Sequence, residues 1–243
     1  SGAIAGLRTQ YHWTALDLVP RPHGGFEIQG GFSPVFTVVS TSKPLDPRFV
    51  IMQVSNITSP APSTTTPLKF EQETSYLMVH EILPSLFPRT TVRRRKERVT
   101  LTADQTQSAV SRARPGEALV YNEPRIPSVT GTTRSRTGVS FPDVFVLSKD
   151  FAISIEVTLR SQWNVDSVVP GEAGARIHKG AQAPSLTLNL EPHLAANPSL
   201  QLLLTIVSDQ EPDERAQQWI ERFLADKASG RVIGFVWLVV PSR

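Results

Sequence analysis

Apolar residues recur along this chain in two patterns, strict alternation and short unbroken runs. Residues 151–160 alternate without exception, and the large apolar side chains are Phe151, Ile153, Ile155, Val157 and Leu159. A period of two places these five side chains on one face of a β-strand. Residues 202–207 and 232–240 are almost continuously apolar, which predicts two strands buried on both faces.

The first quarter of the chain predicts a β-hairpin. Residues 32–39 and 49–54 are rich in β-branched and aromatic residues, which favour strands. The loop between them contains two prolines and has the length of a hairpin connection. A further strand, very basic in its first half, is predicted over residues 92–103.

Two segments predict helices. Residues 3–18 carry apolar side chains at helical spacing before Pro20. Residues 213–228 form one apolar stripe behind an acidic first turn, which complements the helix dipole. Residues 70–83 fit either a strand or a helix, and the Ser/Thr/Pro-rich residues 59–67 predict an exposed, mobile loop.

Together these elements predict one domain over residues 1–243 with an α+β fold. We expect a twisted, largely antiparallel sheet with an N-terminal helix and flanking helices. At 243 residues and 40% hydrophobic content, the chain is long enough to bury a substantial core.

Composition and motifs argue against catalysis. The chain has no cysteine, which excludes disulfides, thiolate metal sites and Cys nucleophiles. It contains no glycine-rich phosphate loop, and its five histidines are scattered without metal-ligand spacing. We therefore expect a binding protein rather than an enzyme, with no metal and no cofactor. A hydrolase whose site is assembled from distant residues is a third hypothesis.

Positive charge is concentrated in one segment. Between Arg89 and Arg136 there are eleven basic and four acidic residues, so this segment carries +7 in a chain whose net charge is +3. The basic run within it, residues 93–98, supplies Arg93, Arg94, Arg95, Lys96 and Arg98. Because a strand with this pattern is charged on both faces, the basic run cannot lie in a core.

Three interpretations of the basic run stay open. It can be a solvated edge strand that charge protects from aggregation. It can bind an anionic membrane, where each cation contributes about 1 kcal/mol. It can bind nucleic acid through phosphates, although no aromatic residue interleaves with the arginines to stack on bases, so we expect no nucleic-acid partner. The alternating residues 151–160 likewise fit a membrane-inserting β-strand or a half-buried strand of a soluble sheet.

Several of these segments resemble the pore-forming domain of the gasdermin family. They are an initial helix before Leu18, the strand GFSPVFTVV at residues 31–39, the PRFV stretch at 47–50 leading into QVSNI, the apolar strand at 200–207 and the final GRVIGFVWLVV. The chain ends at Arg243 and is most similar to the short fungal members, which lack an inhibitory C-terminal domain and control regulated cell death.

The resemblance implies a cytoplasmic protein that moves to the plasma membrane, binds acidic phospholipids, self-oligomerises into a β-barrel pore and causes lytic cell death. A divergent partner variant of the same family is the implied trigger. By position, the lipid-contacting residues are Arg8 in the first helix and Lys43, Leu45 and Arg48 at the hairpin tip. The alternative function is a β-rich viral, structural or adaptor protein that binds nucleic acid through its Arg-rich segment.

Overall fold

The computed structural model describes residues 17–20, 26–29, 34–41, 43–86, 91–92, 99–114, 117–127, 139–140, 142–163, 200–225 and 232–243, and for 17–20, 26–29, 91–92, 127 and 139–140 it describes the backbone alone. The strands are β1 Asp17–Pro20, β2 Phe26–Gln29, β3 Val35–Val38, β4 Phe49–Ser55, β5 Thr91–Val92, β6 Leu119–Asn122, β7 Ile126–Pro127, β8 Val139–Ser140, β9 Val144–Leu147, β10 Phe151–Val157, β11 Gln201–Ser208 and β12 Val232–Val239. The α-helices are α1 Pro67–Leu77, α2 Leu83–Leu86, α3 Ala103–Arg112 and α4 Glu214–Ala225.

Ten of these strands form one sheet in the order β1-β2-β3-β4-β12-β11-β10-β9-β6-β5. The four central strands β4, β12, β11 and β10 run parallel to one another. The strands next to them, β3 on one side and β9 on the other, are antiparallel. The fold therefore combines α-helices with a mixed sheet, and the expectation of a largely antiparallel sheet is wrong at its centre.

The parallel centre follows from how β11 and β12 are connected. The helix α4 joins these two neighbouring strands, and a helical crossover between adjacent strands makes them parallel. Asp213 begins this helix, because its Oδ1 accepts a hydrogen bond from the Ala216 N–H at 2.8 Å. The pattern of strand, helix and strand at the end of the chain was predicted, but its consequence for strand direction was missed.

Helices cover both faces of the sheet. On one face, called here the α1 face, Ile153, Val207 and Val236 pack against Phe70 and Leu77 of α1. On the opposite face, the α3/α4 face, side chains from the alternate strand positions pack against both helices; among them are Leu204, Phe235, Trp237, Val110, Ile220 and Phe223. The strands β11 and β12 are buried on both faces along nearly their whole length, as their unbroken apolar runs predict.

The ambiguous residues 70–83 are helical. Thr66 caps α1 by accepting the Lys69 N–H at 3.2 Å, and Pro67 occupies the first turn. A π-helical turn, Met78–Ile82, carries the helix on into α2. The buried members of this segment lie on the α1 face, so the helix forms one complete layer of the core.

Two predicted elements differ from the structure. The helix expected over residues 3–18 lies mostly outside the described residues, but its end is wrong because Asp17–Pro20 is a strand paired with β2. The strand expected over 92–103 is also wrong at its end, because α3 begins at Ala103. Thr102 and Gln105 form a capping box there, each side chain accepting the other's backbone N–H.

The Ser/Thr/Pro-rich segment is exposed at Pro60 and at residues 65–67, as predicted, but fixed contacts hold other parts of it. Glu81 accepts the backbone N–H groups of Thr58 and Ser59, and Glu73 accepts that of Ser63 at 2.7 Å. Partial burial acts to raise the pKa of Glu81, but the hydrogen bonds from Ser59 and Thr58 outweigh it and lower that pKa below its ordinary value. Pro62 is buried, as is Ser63, so the predicted exposure is wrong at these positions.

The burial of α1 predicts that two of its residues contribute very differently to the stability of the fold. Phe70 is fully buried and Leu68 is 63% exposed. We expect Phe70→Ala to lower the free energy of unfolding by about 3–5 kcal/mol, because it leaves a cavity in the core. Leu68→Ala, the matched control, should change it by less than about 0.5 kcal/mol. Urea denaturation of both variants measures this, and equal stabilities would mean that α1 is not a core layer.

Candidate membrane-contact site

The structure confirms the predicted hairpin that carries three of the candidate lipid-contacting residues. β3 and β4 are antiparallel, with Val35 opposite Ser55 and Val38 opposite Met52. Lys43, Leu45 and Arg48 lie in the loop between these strands, called here the β3–β4 loop, residues 39–48. The loop therefore begins and ends at one end of the sheet.

Arg48 is bound to neighbouring groups of the protein. Its guanidinium donates to both carboxylate oxygens of Asp46, at 3.1 and 3.0 Å. Its Nη2 also donates to the backbone carbonyl of Leu224 at 2.6 Å. Leu224 lies near the C-terminal end of the described part of α4, where a cation complements the helix dipole. Arg48 thus stabilises the C-terminal end of α4.

Two further contacts join the β3–β4 loop to the same helix. The Asp46 N–H donates to Glu221 Oε1 at 3.3 Å, and Lys43 Nζ lies 3.1 Å from Glu214 Oε1. The Lys43 side chain is 79% exposed and the Glu214 side chain 70% exposed, so this ion pair is weak. Leu45 is partly buried and packs against the core of the α3/α4 face. Of the three candidate residues, Lys43 is the one that presents its side chain mainly to solvent.

The electrostatics of the β3–β4 loop centre on Asp46. The pKa of Asp46 lies below its ordinary value, mainly because the Arg48 side chain donates a hydrogen bond to its carboxylate. Partial burial acts to raise this pKa, but its effect is smaller. Asp46 is therefore ionised at neutral pH and neutralises Arg48 locally. An approaching anionic surface meets this pair with little net charge.

The basic run itself lies outside the described residues, as does Arg8; the run's members are Arg93, Arg94, Arg95, Lys96 and Arg98. The residues on either side of it are described. Thr91 and Val92 form β5, which pairs with β6 and is the last of the described strands on that side of the sheet. Beyond the run, the Val99 carbonyl accepts the Arg125 N–H at 2.7 Å, and the Leu101 N–H donates to the Arg125 carbonyl at 2.8 Å.

The described strand β5, which precedes the basic run, lies far from the β3–β4 loop. The strands β12, β11, β10, β9 and β6 lie between β4 and β5. At about 4.8 Å per strand, β5 is roughly 29 Å from the strand that follows the β3–β4 loop. The ends of the basic run and the loop are therefore separate features, and one small anion cannot contact both.

The alternating segment is shorter than predicted and is fully integrated in the sheet. It forms β10, Phe151–Val157, and Leu159 lies beyond the end of the strand, where it is buried. Ile153, Ile155 and Val157 pack on the α1 face. The other face of β10 carries the smaller or polar residues Ala152, Ser154 and Glu156, all buried. β10 is an interior strand of the sheet: residues 152–157 are buried and Phe151 is partly buried.

A polar network that the sequence did not indicate lies at the C-terminal ends of β10 and β11. Arg160 donates its backbone N–H to Asp209 Oδ1 at 2.7 Å and forms an ion pair with Asp213. The buried Asp143 carboxylate accepts the Val157 N–H at 2.5 Å. These contacts fix the turns after the two strands. They include a hydroxyl–carboxylate pair, because the buried Ser208 Oγ donates to Asp209 Oδ1 at 3.2 Å. Nowhere in the described part of the chain do three His, Asp or Glu side chains lie together as metal ligands.

No known protein family, curated protein or solved structure matches the chain. Among the helices of the described residues, none has the length and hydropathy needed to cross a bilayer.

The Asp46–Arg48 pair predicts a pH-dependent effect on stability. Asp46→Asn should lower the free energy of unfolding at pH 7 by about 1 kcal/mol, because it weakens a charge-assisted hydrogen bond that is partly solvated. The folded-state pKa of Asp46 is lowered, so this contribution is present above its unfolded pKa of about 3.9 and is lost as the pH falls below that value.

The measurement is urea denaturation of both proteins at pH 7 and at pH 3. The difference in stability should shrink at the lower pH. Asp150→Asn, which changes an exposed carboxylate elsewhere, is the control and should have little effect. A difference that is the same at both pH values would show that the charge of Asp46 does not stabilise the loop.

Proposed function

We propose that this chain is a membrane-binding, pore-forming protein with a gasdermin-like fold. In this proposal it acts from the cytoplasm, binds acidic phospholipids, oligomerises into a β-barrel pore and thereby causes lytic cell death. A divergent partner variant is the proposed trigger. The protein acts through binding and assembly, and not through catalysis.

One observation carries the proposal: the basic run begins at the outermost described strand of the sheet. Five cations in six residues follow Val92, the last residue of β5, and among the strands of the described residues none lies outside β5. A cationic segment that starts at a sheet edge is well placed to approach an anionic surface. At about 1 kcal/mol for each cation, the run would supply roughly 5 kcal/mol of attraction.

The two faces of β10 give further support. A strand that spans a bilayer needs an apolar face toward lipid and a polar face toward water. The apolar face of β10 consists of Ile153, Ile155 and Val157, and α1 covers this face. On the other face, the Ser154 hydroxyl is buried without a hydrogen-bond partner among the described residues, which costs about 1–3 kcal/mol. Contact of that face with water in a pore would remove this cost.

The proposal predicts selective leakage from anionic vesicles. We expect the protein to release dye from phosphatidylcholine–phosphatidylserine vesicles and to have little effect on phosphatidylcholine alone. The variant with Arg93→Ser, Arg94→Gln, Arg95→Ser, Lys96→Gln and Arg98→Gln should partition into anionic vesicles on the order of a thousandfold less at low salt. Its urea midpoint should be nearly unchanged.

The matched control removes five exposed cations outside the basic segment, namely Lys69, Lys149, Arg215, Arg222 and Arg243, each to Gln. This control should retain most of the binding, because its cations are dispersed. Equal losses in the two variants would overturn the role of the basic run. Absence of both leakage and vesicle flotation for the unmodified protein, alone or with a divergent variant, would overturn the pore-forming function. Salt-sensitive RNA retention without lipid would instead support the nucleic-acid-binding alternative.

A further inference from the structure

The β3–β4 loop lies lengthwise along α4. Successive residues of the loop contact successive turns of the helix. Lys43 lies 3.1 Å from Glu214, the Asp46 N–H donates to Glu221 at 3.3 Å, and Arg48 donates to the Leu224 carbonyl at 2.6 Å. Ten helical residues rise about 15 Å, and five extended residues span at most about 17 Å. The loop therefore runs beside the helix from its first turn to its last.

These contacts occupy the groups that the loop would present to a membrane. The Arg48 guanidinium is shared between Asp46 and the end of α4. Leu45 packs against the core that α4 covers. Glu214 and Glu221 place two carboxylates next to the loop, and carboxylates repel an anionic surface. In this form the side of α4 that faces the loop opposes membrane contact.

We infer that α4 is an intramolecular latch that holds the β3–β4 loop in a membrane-incompetent position. Release of the loop from α4 exposes Leu45 and frees the Arg48 N–H that binds the Leu224 carbonyl for contact with anionic headgroups, while Arg48 keeps its pairing with Asp46 within the loop. This inference rests on the proposed membrane function and adds a conformational step to it. The pairing is reciprocal, because Arg48 also stabilises the last turn of α4, so release loosens the helix end as well as the loop.

A thiol crosslink tests the latch directly, because the chain contains no cysteine. The variant Lys43→Cys with Glu214→Cys replaces two exposed side chains that face each other across the latch. It is joined by a short bismaleimide whose spacer contains a reducible disulfide. We expect crosslinking to slow leakage of phosphatidylcholine–phosphatidylserine vesicles at least tenfold, and reductant to restore it.

The matched control carries the same chemistry within the helix. Glu214→Cys with Gln218→Cys joins two exposed residues one turn apart on α4. Crosslinking this variant should not change its leakage rate from that of the same variant before crosslinking. A second variant weakens the latch: Glu214→Ala with Glu221→Ala should speed leakage several-fold. The charge-matched pair Asp150→Ala with Glu211→Ala, at exposed positions away from the loop contacts, should not reproduce that increase.

The outcomes separate the latch from the pore-forming function. If the unlinked protein leaks vesicles and the Lys43–Glu214 crosslink leaves the rate unchanged, the latch is wrong and the proposed function stands. If the crosslinks within α4 and across the latch slow leakage equally, the effect belongs to the modification and the latch is again overturned. If no form of the protein binds or leaks anionic vesicles, both the proposed function and the latch fail.

Discussion

The fold depends on burying both faces of the four parallel strands at the centre of the sheet. The strands β11 and β12 carry apolar side chains at nearly every position, so neither face can meet water without a large loss of hydrophobic stabilisation. One helical layer, begun by α1, covers one face, and α3 with α4 covers the other. Because α4 is also the crossover between β11 and β12, its position is fixed by the sheet. The β3–β4 loop precedes the next parallel strand, β4, and so reaches the same helix.

The elements predicted most accurately are those whose pattern reports burial alone. The unbroken runs of β11 and β12 and the stripe of α4 are confirmed, because a core needs these side chains wherever it forms. Strand direction depends on connectivity, and it was missed. The helix α3 was missed because it buries few residues, namely Thr106, Ala109 and Val110, and has no long apolar stripe. Its signal was local: Thr102 and Gln105 have the spacing of a capping box.

The candidate site was less predictable than the fold. The family resemblance, applied by position along the hairpin, selected Lys43, Leu45 and Arg48, but the partners of Lys43 and Arg48 are about 170 positions away in α4. No local pattern indicates that Arg48 would cap a helix, since the carbonyl of Leu224 has no sequence signature. Asp46 is the exception. An acid two residues before an arginine, at a turn with two prolines, is a recognisable site for a local ion pair, and it lowers the charge that the loop presents.

Hydrophobic burial also limits which strands can change partners in a membrane. In a water-filled pore one face of every strand must be wet. The strands β11 and β12 have apolar side chains on both faces, for example Leu204 on one and Val236 on the other. Whichever face was turned to lipid, the other would expose apolar side chains to water, so these strands must stay packed in the protein core. β10 differs, because Ser154 and Glu156 share one face and the isoleucines the other. Any rearrangement that forms a pore therefore leaves β11 and β12 in place and requires α1 to separate from the apolar face of β10.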